Sequence, residues 1–344
     1  MSLSACVTYQ APSSIPTREA SSDPPDRAQV LPEGDIAFHS DPYGADDTYL
    51  MGGDGKKSVA VTEGMETIAA PFWSPDGMHL AIECCTQAQG QLYVIPGRDE
   101  WAEKVSGELQ DARGPAWSPD GELLAFSAER SIYLVDPFSG EAPTRLGPGA
   151  GPTWDPSGKR IVYFSLGRDP DIEITTLDGT RRTLVGGPTH DHSPEFAPDG
   201  SKLAFIRETG DRSDVFVVDA DGTNVRNISK SSGPDEAAVW SPDSSRVAFV
   251  SFLHGADEFM IGDGDAEIFV FDFDEERLIN LTKSPMWEGD PAWSPDGKTL
   301  LFTRRHGPAR IWAMDVVSGE QHKLAGVPDI ANDCCAAWRP ASSS

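Results

Sequence analysis

The chain has 344 residues and carries 28 Lys and Arg against 55 Asp and Glu, which gives a net charge of −27 at pH 7. This acid excess argues against nucleic-acid binding, because phosphates are bound by clustered Lys and Arg, but it is compatible with metal ions, cationic ligands and basic protein surfaces. Hydrophobic residues make up 38% of the chain, which is enough for a folded core. No run of about 18 apolar residues predicts a membrane-spanning helix.

The N-terminal segment 1–34 lacks the periodicity of a folded element. Residues 7–34 are rich in Ser, Pro, Asp and Ala, which is typical of a flexible linker. The residues that precede this linker, Ser4-Ala5-Cys6, resemble the cleavage site of a bacterial lipoprotein, in which the Cys carries the lipid. We therefore expect a lipidated tether over residues 1–34; the alternative is a cytosolic start in which Cys6 has no such role.

One motif recurs seven times along the rest of the chain. It reads PAWSPDG at residues 115–121 and again at 291–297, and the other copies differ by a few substitutions. Its spacing of about 44 residues is typical of a repeat protein. The aromatic residues that mark the seven copies are Trp73, Trp117, Trp154, Phe196, Trp240, Trp293 and Trp338.

Each repeat predicts four short antiparallel strands, a to d. The aromatic segment is strand a, and Ser-Pro-Asp-Gly forms a tight hairpin, because Pro presets φ, Asp bonds to the local backbone and Gly accepts a positive φ. Strand b is apolar, as in LAF at 124–126, strand c alternates, as in IYL at 132–134, and strand d is short, as in INLT at 279–282. Four strands at this period match one blade of a β-propeller.

The two ends of the repeat region predict how the ring closes. Residues 35–63 contain b, c and d strands without a preceding a strand, whereas the C-terminus supplies a lone a strand around Trp338. Joining the two fragments completes a seventh blade and removes the exposed edges. We predict a single all-β domain over residues 35–340, a seven-bladed β-propeller, followed by a tail at 341–344. The alternative is a six-bladed ring with one additional hairpin.

The Trp-Ser-Pro-Asp-Gly hairpin followed by a Leu-Ala-Phe-like strand resembles the TolB-type, WD-like propeller repeats over residues 35–340. TolB itself has an additional N-terminal α/β domain and usually six blades, so the resemblance is to its propeller. It implies a protein-binding role in the cell envelope. Similar propellers also cap prolyl-oligopeptidase-like peptidases and form the body of some polysaccharide lyases. No Gly-x-Ser-x-Gly elbow occurs in this sequence, so we assign no catalytic residue.

Polar residues just before several a strands predict a ligand-binding rim around the channel mouth. His190 and His192 would share one face if they lie on a strand, and with Asp290 they are our candidates for a divalent cation site. The alternative is a solvated polar rim of an acidic protein. The predicted rim residues are Arg113, His190, Asp191, His192, Asp235, Glu236, Glu288, Asp290 and Asp333.

Four cysteines form two adjacent pairs, Cys84-Cys85 after a b strand and Cys334-Cys335 before the last a strand. Ring closure brings the end of that b strand and the start of the a strand to the same face of neighbouring blades. We predict one or two disulfides between the pairs, which would staple the seam. The alternatives are a four-thiolate zinc site, disulfides within each pair, and buried thiols.

These features predict a non-enzymatic, monomeric binding scaffold outside the cytoplasm, periplasmic or tethered to the outer membrane. Its ligand would be a protein or a peptide, or alternatively a glycan, and its membrane contact would be the N-terminal lipid alone. No cofactor is predicted beyond a divalent cation at the rim. The alternative function is a metal-dependent lyase or hydrolase that uses a His/Asp site at the channel mouth.

Overall fold

The computed structural model describes residues 35–41, 46–62, 64–65, 67, 69–86, 89–96, 102–231, 233–252, 266–324 and 331–341. Cys6 and the predicted tether lie outside these residues. Within the described ranges the chain forms 28 β-strands. In the same part of the chain, no helix is long and apolar enough to cross a bilayer.

In chain order, the strands are β1 (Ile36–Ser40), β2 (Asp47–Met51), β3 (Ser58–Ala60), β4 (Phe72–Trp73), β5 (Leu80–Thr86), β6 (Gln89–Ile95), β7 (Glu103–Lys104), β8 (Arg113–Trp117), β9 (Leu124–Ala128), β10 (Ser131–Val135), β11 (Thr144–Pro148), β12 (Ala150–Trp154), β13 (Arg160–Phe164), β14 (Ile172–Thr176), β15 (Arg181–Val185), β16 (His190–Phe196), β17 (Lys202–Thr209), β18 (Arg212–Asp219), β19 (Arg226–Asn227), β20 (Asp235–Trp240), β21 (Arg246–Phe252), β22 (Ala266–Asp272), β23 (Arg277–Asn280), β24 (Trp287–Trp293), β25 (Thr299–Arg305), β26 (Ala309–Asp315), β27 (Gln321–Lys323) and β28 (Asp333–Trp338).

The described strands form seven four-stranded antiparallel sheets, and the predicted seven-bladed propeller is confirmed. Blade 1 has the order β28-β1-β2-β3, and blades 2 to 7 follow as consecutive groups of four from β4 to β27. The last strand therefore pairs with the first, with Ile36 opposite Trp338. A buried hydrogen bond of 2.7 Å from Ser40 Oγ to Asp333 Oδ1 fixes the other end of this pair. The six-bladed alternative is thereby excluded.

The repeated hairpin between strands a and b has the predicted geometry. In blade 2, the Met78 amide donates to Asp76 Oδ1 at 2.9 Å, and Gly77 has a φ of 67°. A further contact was not predicted: Ser74 Oγ donates to Asp76 Oδ1 and accepts from the His79 amide. The Ser, Asp and Gly of the motif thus each have a defined role in closing the turn.

The a strands begin earlier than the sequence predicted. The residues that the sequence analysis puts just before the a strands are part of these strands. In six blades a bulge interrupts the pairing of strands a and b at these residues. One residue of each bulged strand has a left-handed φ, between 51° and 60°, which favours glycine. These residues are Gly114, Gly151, Ser193, Ala237, Asp290 and Cys335.

The hydrophobic core lies between the faces of neighbouring blades. The aromatic third residue of the predicted b-strand triplets is fully buried in most blades, and burying a Phe contributes roughly 2 kcal/mol. The residues at this position with at most 1% exposure are Phe38, Phe126, Phe205, Phe249 and Phe302. The side chains of the apolar b strands therefore form the centre of the hydrophobic contacts between neighbouring blades.

The repeated tryptophan links each blade to the one before it. Trp117 Nε1 donates to the carbonyl of Phe72 at 3.0 Å, and Trp154 Nε1 donates to that of Ala116 at 2.9 Å. In every case the acceptor precedes the motif aromatic of the previous blade. The same bond joins Trp73 to Ala337, Trp240 to Glu195 and Trp293 to Val239.

Two repeats lack this bond in the described residues. Phe196 has no N–H to donate, and the Nε1 of Trp338 is buried without an acceptor. Replacing Trp154 or Trp338 by Phe shortens the aromatic side chain equally, but only the change at Trp154 also removes this hydrogen bond.

We predict that Trp154→Phe lowers the free energy of unfolding by about 1–3 kcal/mol more than Trp338→Phe, because only the first change leaves a buried carbonyl without its donor. The measurement is urea unfolding followed by circular dichroism. Equal losses in the two variants would show that the indole bond does not stabilise the ring.

Candidate functional site

A cavity of about 510 Å³ opens on the rim of the propeller. It lies where a strands begin and b strands end, and residues of blades 3 to 6 line it. Cavities of this size hold small ligands or single side chains of a partner. Its polar and aromatic lining residues include Arg130, Phe164, His190, His192, Glu208 and Glu236.

Two histidines on β16 face one carboxylate across the hairpin. His190 Nδ1 lies 2.8 Å from Glu208 Oε2, and His192 Nε2 lies 3.3 Å from Glu208 Oε1. The two imidazole centroids are 5.3 Å apart. Residues two apart on a strand point to the same side, so the expectation that these imidazoles share a face is confirmed. Glu208 reaches them because its backbone is paired with that of His190.

Burial and charge set the protonation of this cavity. Burial lowers the pKa of His192, and the Glu208 carboxylate only partly offsets this effect. Glu236 is exposed at the mouth of the cavity, but partial desolvation there raises its pKa, and the negative charge of Glu208 raises it further. At pH 7 His192 is therefore mainly neutral. Phe164 closes one side, with its ring centroid 6.3 Å from that of His192.

Two predicted rim residues are instead buried in ion pairs. Asp191 has 0% exposure and accepts two bonds of 2.7 Å from Arg207, which lies opposite it on β17. Glu288 is likewise fully buried and contacts Arg304, its register partner on β25. The guanidinium of Arg207 also lies 4.9 Å from the ring centroid of Phe216. These carboxylates therefore hold strands a and b together below the rim.

Asp235 and Asp333 are also buried. Burial raises the pKa of Asp235, and the hydroxyls of Ser229 and Ser251 partly oppose that rise. Ser251 lies opposite Asp235 on β21, at the position where blades 5 and 7 have Arg207 and Arg304. Asp333 bonds to Ser40 in the closing blade.

The remaining predicted rim residues lie apart from the cavity. Arg113 is exposed on blade 3, 3.7 Å from Asp111. Asp290 lies on β24, two blades from β16, with its Oδ2 3.9 Å from Cys335 Sγ. The nine predicted residues are thus dispersed, and His190, His192 and Glu236 are the ones that line the cavity.

The predicted cation site is not assembled in the described part of the chain. No group of three or more His, Cys, Asp or Glu side chains there has a geometry that would hold a metal ion. His190 and His192 lie together, but Asp290 belongs to another blade.

The seam brings the cysteine pairs to neighbouring positions, as the sequence predicted. Cys334 is opposite His39 in the closing pair, His39 Nε2 contacts the carbonyl of Thr67 at 2.7 Å, and Thr67 forms a β-bridge with Cys84. No disulfide joins any two of Cys84, Cys334 and Cys335, and the side chain of Cys85 is not described. The inter-blade staple stays a prediction.

Several site residues were not predicted from the sequence. Glu208, Arg130 and Phe164 lie at or near the b–c turns of three different blades. Counting residues back across the Ala-Pro-Asp-Gly hairpin of this blade would have placed Thr209 opposite His190, because the bulge between His192 and Glu195 shifts the register by one residue. Arg130 and Phe164 carry no comparable signal, because only the arrangement of blades brings them to the same cavity.

Comparison with known proteins places this chain among related propellers. A family model for the TolB beta propeller domain matches residues 147–261. The uncharacterised protein Atu1656 of Agrobacterium fabrum is 30% identical over 267 residues, which is 72% of this chain and 88% of that protein. The Tol-Pal system protein TolB of Ruthia magnifica is 30% identical over 133 residues, 36% of this chain. That match spans only 29% of the length of the Ruthia protein.

The fold also resembles solved structures, over a larger part of the chain than the sequence matches cover. An oligogalacturonate lyase in complex with manganese has a TM-score of 0.62 at 19% identity, covering 85% of each chain. At this level of identity the similarity shows the fold alone, because one propeller fold carries many unrelated functions.

We predict that Asp191→Asn lowers the free energy of unfolding by about 3 kcal/mol, because it leaves the largely buried Arg207 without its counter-charge. Glu236→Gln, on the exposed start of the next a strand, should change it by less than about 0.5 kcal/mol. Urea unfolding of both variants measures the difference. A small effect of Asp191→Asn would contradict the structural role of this ion pair.

Proposed function

Because this chain belongs to the TolB-like β-propeller family, we propose that it is a non-enzymatic binding scaffold of the bacterial cell envelope. It binds a protein or peptide through the rim that carries the cavity of His190, His192, Glu208 and Glu236. Relatives named as Tol-Pal system proteins support a role in an assembly of proteins.

The single observation that carries the proposal is the chemistry of the cavity. Two carboxylates, Glu208 and Glu236, lie beside the neutral His192 and the ring of Phe164. A Lys or Arg side chain of a partner would place its charge between the carboxylates and its apolar stem against the ring. The volume suits one such side chain with its flanking residues.

The charge of the whole chain supports the same class of partner. A net charge of −27 attracts basic surfaces over distances longer than any single contact. Such steering raises the association rate more than the final affinity, and the cavity then selects the side chain that fits. A basic segment of a protein is therefore the partner we propose, in preference to a neutral glycan.

The proposed location is outside the cytoplasm. Cys6 would carry a lipid, and residues 7–34 would then separate the propeller from the membrane. Mass spectrometry of the native protein made with its own upstream sequence tests the lipid, which an unmodified Cys6 would contradict.

A metal-dependent lyase or hydrolase is the second candidate. The adjacent imidazoles of His190 and His192 favour it. The described residues around them do not complete a metal centre, so we derive no reaction step. Elemental analysis of purified protein would support this candidate only if a stoichiometric transition metal is present and is lost in His192→Ala.

The binding proposal is tested by affinity capture from an envelope extract on the immobilised chain. We predict that one basic partner is retained by the wild type and by the control Glu103→Gln, an exposed change on β7 far from the cavity. Glu208→Gln should reduce its retention about tenfold, because a desolvated charge pair contributes about 1.5 kcal/mol or more. Equal retention by all three proteins would overturn the proposed site.

The same capture should depend on pH with a defined sign. Lowering the pH protonates His192, although its pKa is lowered, and it protonates Glu236 at a higher pH than an ordinary Glu, because the pKa of Glu236 is raised. Both changes remove negative potential from the cavity, so retention of a basic partner should fall as the pH falls. Retention that rises on acidification would contradict the proposed electrostatics.

A further inference from the structure

The closing strand β28 contains two thiols in contact with each other. Cys334 Sγ and Cys335 Sγ are 2.8 Å apart, and both residues are partly exposed. Cys335 lies on the bulge of the strand, with a φ of 57°. The pair lies at the seam of the ring. Cys335 occupies the bulge position that glycine occupies in blades 3 and 4.

A histidine of the first strand is oriented toward one of these thiols. His39 Nδ1 lies 3.6 Å from Cys334 Sγ, and its Nε2 lies 2.7 Å from the carbonyl of Thr67. A carbonyl only accepts hydrogen bonds, so Nε2 carries a proton and Nδ1 is the basic nitrogen that faces Cys334. Asp46 Oδ1, 3.6 Å from Nε2, favours the protonated imidazole.

This arrangement stabilises a thiolate. The pKa of Cys334 is lowered to about 6, because the Cys335 thiol and then the His39 imidazole stabilise its charge against the cost of burial. Burial alone would lower the pKa of His39, but its contacts with Cys334 and Asp46 raise it. Asp290 is the opposing acidic group, since its negative charge disfavours the thiolate. A thiolate with an adjacent second thiol is the arrangement found in redox-active cysteine pairs.

We propose that Cys334 and Cys335, assisted by His39, form a redox-active dithiol site that exchanges electrons with small-molecule disulfides. His39 Nδ1 holds the proton of Cys334, and the Cys334 thiolate attacks one sulfur of the disulfide, which forms a mixed disulfide and releases one thiolate that takes this proton from His39. Cys335 then attacks the Cys334 sulfur, loses its proton to the second leaving thiolate, and completes a Cys334–Cys335 disulfide. In sum, the dithiol is oxidised by two electrons and one small-molecule disulfide is reduced to two thiols.

Contacts at the seam favour Cys335 over Cys84 as the resolving thiol. Cys84 Sγ donates to the carbonyl of Met65 at 2.7 Å. The ring of His39 contacts Cys334 on one side and Thr67, the bridge partner of Cys84, on the other. An inter-blade disulfide from Cys334 would require this imidazole to move. The site is independent of the rim cavity and of the proposed function.

The first test uses the full chain and oxidised glutathione as the probe. After alkylation of the remaining thiols and non-reducing digestion, the peptide that contains both Cys334 and Cys335 should have lost two hydrogens without joining another peptide. Cys335→Ser should instead accumulate glutathione on Cys334. A cross-link between the peptides of Cys84 and Cys334, or unmodified Cys334 in both proteins, would overturn the proposal.

The second test measures the rate at which iodoacetamide alkylates Cys334 as a function of pH. In the wild type the rate should level off near pH 7, as expected for a thiol whose pKa is about 6. His39→Gln should slow alkylation at pH 7 about tenfold and move the plateau toward pH 9. A wild-type rate that still rises between pH 8 and 9 would contradict the role of His39, even if the variant does not fold.

Discussion

The antiparallel pairing of β28 with β1 is the contact on which the rest of the structure depends. It gives blade 1 its inner strand and leaves no open sheet edge at either end of the ring. The seam is also joined sideways, because Trp73 Nε1 donates to the carbonyl of Ala337 and the guanidinium of Arg339 lies 4.4 Å from the Trp73 ring centroid. Closure therefore couples the first and last strands to blade 2 as well as to each other.

The same construction explains where the cavity lies. Bulges at Ser193 and Ala237 bend two neighbouring a strands at the rim, and both residues line the cavity. Register then divides the acidic residues of these strands into two groups. Asp191, with Arg207 opposite, is buried and structural, whereas Glu236, with Val250 opposite, remains at the surface. Asp235, which precedes Glu236 and lies opposite Ser251, is buried like Asp191. Neighbouring carboxylates of one strand thus have different roles because successive side chains point to opposite sides.

Much of the fold follows from the sequence, because one short motif determines several contacts at once. The Ser-Pro-Asp-Gly turn fixes the a–b hairpin, and the motif tryptophan before the turn donates to the previous blade in five of the seven repeats, as at Trp117. The lone a strand around Trp338 was sufficient to predict closure. In the candidate site, the sequence placed His190 and His192 on one face, since two residues on a strand share a side.

The rest of the site depends on information that the repeat does not carry. The left-handed φ of Ala237 and Cys335 cannot be predicted from their residue types, because such a φ favours glycine, as at the equivalent Gly114. The burial of Glu288 depends on Arg304, sixteen residues along the chain and across a hairpin. The cavity needs Arg130 and Phe164 from other blades, which only the complete ring brings together.

Native-state hydrogen exchange in increasing urea tests the central claim most directly, because it measures the free energy at which each strand opens. If closure determines the stability of the ring, amides of β1 and β28 should exchange through the same global opening as those of β17 in the opposite half of the ring. Exchange of β28 at much lower free energy, with β1 and β17 still protected, would show that the ring does not depend on its terminal strand.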